Sequence, residues 1–216
     1  MTTHPRPTQS PLPSVVPNLA ILPQPLASAA LPVGQLVSKT AKLAPTTLED
    51  RDYEDIGARW YKDVILFSSA SGLFTDSLGS PFAIKQPAPG LEAGTIEAPE
   101  QRVRLLKDPA AALNKVLLAR DAARFLSENE QVAFVVGTRE VTNASYKRAR
   151  LVDVGSGDFE VRREVGGEGQ SGKRRDSGLA VETNSKVDVV GVLVRKVVVE
   201  GGVATLGEEV KAEFWE

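Results

Sequence analysis

From Val187 to Val199 the chain reads Val-Asp-Val-Val-Gly-Val-Leu-Val-Arg-Lys-Val-Val-Val, and no other stretch constrains the fold as tightly. By alternation, one face carries Val187, Val189, Gly191, Leu193, Arg195, Val197 and Val199. The other carries Asp188, Val190, Val192, Val194, Lys196 and Val198. β-branched residues suit a pleated strand, whose successive side chains point to opposite faces. A strand that is apolar on both faces needs cover on both, which places it centrally in a sheet. Gly201-Gly202 then predicts a tight turn, from which Val203 to Leu206 and Lys211 to Trp215 return along the same run.

The rest of the chain supplies partners for that strand. Val132 to Val136 is continuously apolar and, after Gly137, continues as Thr138 to Thr142, which predicts a long strand covered on both faces at its start and on one at its end. Trp60 to Phe67 is an aromatic and β-branched run closed by Ser68-Ser69-Ala70-Ser71-Gly72, a third strand. Phe159 and Val161 alternate with Asp158, Glu160, Arg162 and Glu164, the period of a half-exposed strand. Between them Asp108-Pro109 opens a helix over 109–127: the aspartate accepts from free amides of the first turn, and proline there wastes no hydrogen bond. Ala112, Val116, Ala119, Ala123 and Leu126, widened by Leu113, Leu117 and Phe125, form its apolar stripe. Thr46-Thr47 followed by Glu49 and Asp50 predicts a short helix from Leu48 to Ile56. Residues 72–100, rich in glycine and proline, read as loop with one short strand at Phe82 to Lys85. The expected class is α+β, a twisted, mainly antiparallel sheet with helix packed on it.

Nine of the 14 prolines lie in residues 1–45, which contain no Asp or Glu. Proline lacks a donor and biases its predecessor away from the helical region, so residues 1–46 read as a disordered Pro-rich leader and residues 47–216 as a single α+β domain. With only Arg6, Lys39 and Lys42 basic, the leader lacks the arginine-rich amphipathic pattern of a transit peptide, and it lacks the order of a secretory signal.

Chemistry is narrowed by what is missing. The chain has no cysteine and one histidine, His4, so thiolate nucleophiles, disulfides, Cys or His zinc sites and a serine-histidine triad are removed. Lys plus Arg number 26 against 28 Asp plus Glu, a balance that argues against a general polyanion binder. Gly166 to Lys173 has the glycine gap of a phosphate loop, but Arg174 stands where the magnesium-binding hydroxyl belongs, and the segment reads as a hairpin tip. No cofactor is expected. Glu49 with Asp52, and Glu208 with Glu209, are carboxylate pairs in polar, surface contexts.

The positive residues around that tip are the candidate site: Lys147, Arg148, Arg150, Lys173, Arg174 and Arg175. Acids interleave them (Asp153, Asp158, Glu160, Glu164, Glu168, Asp176), so one reading is solvated strands joined by ion pairs. The other is a basic face for anionic lipid, where each cation contributes on the order of 1 kcal/mol. Nucleic acid is not an expected partner, since Tyr146 is the lone aromatic near the cluster and strand readers need stacking platforms.

The order helix, apolar strand, polar strand, glycine-rich break, polar strand, valine-rich strand resembles the second half of the gasdermin pore-forming domain, over about residues 105–200. The anchors of the resemblance are the runs 131–142 and 189–199, and it is nearest to the short fungal members of the family tied to regulated cell death. It implies a non-enzymatic, cytoplasmic protein that moves to membranes on activation, binds acidic phospholipid and forms homo-oligomers, with a related allelic partner among its conceivable companions. It also implies that residues 141–190 rearrange into a membrane β-barrel, in which no strand edge is left unpaired in lipid. The alternative is a soluble, non-enzymatic interaction module of the same fold that has lost pore activity.

Overall fold

The computed structural model describes residues 19–68, 73–77, 92–155, 158–163, 183 and 185–210. Its strands are β1 (Ala20–Ala27), β2 (Leu36–Val37), β3 (Lys42–Leu43), β4 (Tyr53–Ser68), β5 (Leu73–Ser77) and β6 (Glu92–Leu106). Two helices follow, α1 (Pro109–Leu117) and α2 (Arg120–Glu128), and then β7 (Ala133–Thr142), β8 (Ser145–Gly155), β9 (Asp158–Arg163), β10 (Val187–Glu200) and β11 (Val203–Glu209). The main path of the sheet runs β1-β10-β7-β6-β4-β5, and every pairing is antiparallel. β5 comes round to lie against β1 without pairing with it, so the sheet curls but does not close.

β10 is central, as its two apolar faces require. It pairs with β7 along one edge, and with β1 and then β11 along the other. Gly201 and Gly202, at φ 57° and 82°, make the turn to β11, a conformation that costs glycine nothing. Lys211 to Trp215 lie outside the described residues.

The core has two sides. On one, Ala112, Leu113 and Val116 of α1 and Ala122 and Phe125 of α2 cover Leu36, Leu106, Phe134 and Val136. On the other, the concave interior of the sheet is filled by Tyr61, Ile65, Phe74, Ile96, Ala98, Val141, Tyr146 and Val190, continued by Leu19, Val103 and Leu105.

Several expectations are corrected. The leader is not disordered throughout: from residue 19 the chain is built into the core, with Leu19, Leu22, Leu31, Val33, Leu36 and Val37 all buried. Pro23 and Pro25 fall in the shift of register between Ile21 and Leu26, where β1 makes no regular ladder and a missing donor costs nothing. Residues 1–18 lie outside the described residues. The helix expected over 48–56 is a single 3-10 turn, Asp50–Asp52, in which the Glu49 amide donates to Asp52 Oδ2 at 2.7 Å. From Tyr53 onward pairing with β6 takes over, and the strand expected over 60–67 is part of the 16-residue β4. Much of the expected 72–100 loop is strand, in β5 and the first half of β6, while the strand expected at Phe82 to Lys85 lies outside the described residues.

Asp108 caps α1 as expected, its Oδ1 accepting from the Ala111 amide at 2.9 Å. The single helix is broken at Leu118–Ala119, where Ala119 is extended (φ −75°, ψ 131°). A straight continuation of the 112, 116 stripe turns Ala123 to the core. The break resets the phase so that Ala122 and the larger Phe125 are buried instead.

One further feature crosses three strands. β4 pairs with β6 in an unbroken register, Arg59 opposite Glu100 and Tyr61 opposite Ala98, which sets Trp60 opposite Pro99. β7 and β8 run along β6 in one common register, Thr142 opposite Glu100 and Ser145 opposite Glu97, which sets Asn143 opposite the same proline. Trp60 and Asn143 have φ of 58° and 49°. The inward-facing parity changes at this row: Ile56, Val103 and Val141 face inward on one side, Tyr61, Ile96 and Tyr146 on the other. The sheet is therefore creased along Trp60, Pro99 and Asn143.

Candidate functional site

The two anchor runs are neighbours. Thr142 to Ala133 of β7 pair with Val187 to Lys196 of β10, with slips after Val189 and Leu193. Gly137 sits where space is tight: a Cβ there would lie 2.4 Å from Leu105 Cδ2 and 3.2 Å from the Arg104 carbonyl oxygen, whereas one at Gly191 would meet Arg139 Cβ at an ordinary 3.4 Å. β8 continues β7 along β6 and turns back as β9, so the chain leaves the anchor pair at Thr142 and rejoins it at Val187. The Asn143 amide donates to the Lys186 carbonyl at 2.8 Å, tying the two exits together.

Of the six candidate lipid contacts, two can be placed by side chain. Lys147 and Arg148 are successive residues of β8 and approach glutamates of the neighbouring β6: Lys147 Nζ lies 3.9 Å from Glu97 and Arg148 Nη1 lies 3.6 Å from Glu92. Both pairs are partly exposed and long, a geometry that contributes little stability. The side chain of Arg150 and all of Lys173, Arg174 and Arg175 lie outside the described residues. The carboxylate pairs read as surface groups have structural partners: Asp52 Oδ2 accepts from Lys115 at 2.7 Å, and Glu208 from Lys196 at 2.7 Å. The Lys115 ammonium, with the Glu49 amide, holds the Asp52 carboxyl below the usual carboxylate range.

A cleft of about 560 Å³ opens beside the crease, lined by Asp55, Arg59, Glu100, Arg102 and Glu140 among others. Arg104 donates to both oxygens of Asp55 at 2.8 Å, and Arg102 Nε donates to Glu140 at 3.0 Å. The Arg104 guanidinium keeps the Asp55 carboxyl below its ordinary value. Asp55 so engaged is a poor proton acceptor. Among the described residues no group of three or more His, Cys, Asp or Glu side chains is placed to hold a metal ion. No helix among them is long and apolar enough to cross a membrane, which says nothing of strands.

The concave interior holds charge that the sequence did not single out. The Tyr61 hydroxyl donates to Asp63 Oδ2 at 2.7 Å and accepts from Arg139 Nη1 at 3.3 Å, with the guanidinium 5.9 Å from the ring centre. The Tyr146 hydroxyl donates to Asp188 Oδ2 at 2.9 Å. Among the described residues, Arg139 Nε, Asp188 Oδ1 and both side-chain polar atoms of Gln101 are buried without a partner. Burial raises both phenols, Tyr61 and Tyr146, above the ordinary tyrosine value, and the carboxylates beside them add to the rise. The signal that could have found these residues was Asp188 and Arg139 on faces otherwise apolar. Their partners, 42 and 78 residues distant, leave no local pattern.

No known family model and no curated protein matches this sequence.

Proposed function

We propose that the protein is a gasdermin-like pore-forming effector of regulated cell death. It is a cytoplasmic protomer that binds acidic phospholipid, assembles with copies of itself and contributes strands to a membrane β-barrel without catalysing a reaction. One observation carries the reading: β7 and β10 pair over most of the two anchor runs, Ala133 to Thr142 with Val187 to Lys196, while the chain leaves that pair after Thr142 and rejoins it at Val187, at one end. A segment anchored at both ends by a buried pair can refold while that pair stays in place, although Tyr146 and Ala149 would leave the core with it. β8 has 11 residues and β6 has 15, at or beyond the roughly 9 to 11 that a tilted strand needs to cross a bilayer. Lys147, Arg148, Arg150, Lys173, Arg174 and Arg175 are the proposed lipid contacts. The long ion pairs at Lys147 and Arg148 leave those two cations available to a headgroup at small cost.

The test is dye release from vesicles of graded phosphatidylserine or cardiolipin content, with co-sedimentation alongside. Leakage is expected to rise with anionic fraction. Neutralising Lys173, Arg174 and Arg175 together is expected to weaken binding more at low salt than at high, because screening already removes part of the attraction at high salt. Protein that neither sediments with nor opens vesicles at any anionic fraction would end this reading.

A soluble interaction module of the same fold is the second reading, and the pairing of Lys147 with Glu97 and of Arg148 with Glu92 favours it, because paired strands can simply stay in water. Protease sensitivity of residues 141–190 that vesicles leave unchanged would select it.

A further inference from the structure

We propose that the row Trp60, Pro99, Asn143 is a hinge of the sheet, latched from the concave side by the hydrogen bonds that Tyr61 and Tyr146 make across it. Trp60 and Asn143 are two of the three non-glycine residues with positive φ among the described residues, and register sets both opposite one proline. A bulky side chain in the left-handed region is strained, and Trp60 is 78% exposed, so packing of its ring does not repay that strain. Pro99 contributes no backbone donor at the middle of the row. A missing donor and two left-handed, non-glycine residues thus stand in one line across the sheet.

The concave side shows the complement. Tyr61, Asp63 and Tyr146 belong to the part of the sheet beyond the crease, made of residues 61–68 of β4, 92–98 of β6, and β8. Arg139 and Asp188 belong to the part before it. The Arg139 to Tyr61 and Tyr146 to Asp188 hydrogen bonds therefore span the row from one part to the other. The latch is incomplete, since Arg139 Nε, Asp188 Oδ1 and the Gln101 amide stay unpartnered among the described residues, and a half-satisfied buried network holds less firmly than a complete one. A strained outer line with an under-bonded inner clasp gives two rigid parts and one place to bend. The inference concerns the sheet in water and does not depend on membrane activity.

Native-state hydrogen exchange on the full chain, read by mass spectrometry, tests it. Residues 61–68, 92–98 and 145–155 are expected to exchange together as one unit, faster than 100–105 and 133–141, with the boundary at the row. Tyr146→Phe and Tyr61→Phe, made separately, are each expected to speed exchange of the first set by about tenfold or more, the factor that follows from losing one hydrogen bond to a charged group in Tyr146→Phe and two in Tyr61→Phe, and to leave the second set unchanged. As a second readout, the absence of cysteine lets Glu54→Cys and Arg148→Cys carry a unique pair of spin labels, whose distance distribution is expected to broaden in the Phe variants. Asn143→Gly, which relieves the left-handed strain, is expected to fold and to keep the boundary. Exchange that is uniform across the row, or variants that accelerate both sets equally, would overturn the hinge. Vesicles that ignore the protein would remove the pore reading and leave this one standing.

Discussion

Replacing Gly137 crowds its neighbours. It lies at the point where β7 passes over Leu105, and an added methyl would sit 2.4 Å from Leu105 Cδ2 and 3.2 Å from the Arg104 carbonyl oxygen. Gly137→Ala is expected to destabilise the fold by roughly 1 to 3 kcal/mol, the range for overpacking a close-packed site, read as a lowered denaturant midpoint with unchanged slope. The tyrosines make a second prediction. All three, Tyr53, Tyr61 and Tyr146, have phenols raised above the ordinary value, burial being the largest cause in each. A phenol whose folded value exceeds its unfolded one stabilises the fold fully below the unfolded value, and that contribution is lost as pH rises above it. Absorbance of the native protein is expected to show Tyr61 and Tyr146 un-ionised at about pH 10, where a free phenol is half ionised, their tyrosinate appearing only with alkaline unfolding. Half-titration of more than one of the three tyrosines at that pH, in protein that is still folded, would contradict the burial of Tyr61 and Tyr146.

Helix α1 owes its start to Asp108. With Oδ1 accepting from the Ala111 amide and proline at the first helical position, Asp108→Ala is expected to cost about 1 kcal/mol in a denaturant melt. That cap could be read from two adjacent letters. The central place of β10 could be read from a run apolar on both faces, and β7 from the change of period at Gln131. Elements decided by distant partners could not be read. Residues 92–98 follow several glycines and prolines and read as loop, yet they lie between β4 and β8 and take their strand character from those neighbours. Pro23, Pro25 and Pro99 each argued against a strand, but the fold places them at a slip in register or in the crease, where no donor is needed. The phase reset at Leu118–Ala119 was hidden because either alanine, 122 or 123, fits the same spacing, and Phe125 decides between them only once the sheet is present. The candidate site divides the same way. Its cations were legible as letters, but the glutamates that meet Lys147 and Arg148 stand on β6, about 50 residues away.

For the whole molecule, acid should be a cooperative solvent. Asp52 and Asp55 both titrate below the ordinary carboxylate value, drawn down first by the Lys115 and Arg104 hydrogen bonds. Depressed carboxylates contribute stability above their unfolded value of about 4, and it is lost as pH falls through their folded values. Melting temperature is expected to hold between about pH 5 and 7 and to fall below about pH 4, with a shallower fall in Asp55→Asn, which no longer has that proton to take up. These two pairs fasten the 3-10 turn before β4 to α1, and β4 to β6, so their loss loosens the helical layer and the sheet together. The seam between β1 and β5 is a different kind of boundary. The first and last strands of the path lie together there, with Ile21 packed on the cluster that holds Phe74 and no ladder between the two strands among the described residues. Uncurling the molecule along that line opens the interior contacts, among them the Arg139 to Tyr61 and Tyr146 to Asp188 hydrogen bonds, so the cylinder it nearly forms can be unrolled like a scroll with the rungs of its described backbone ladders intact.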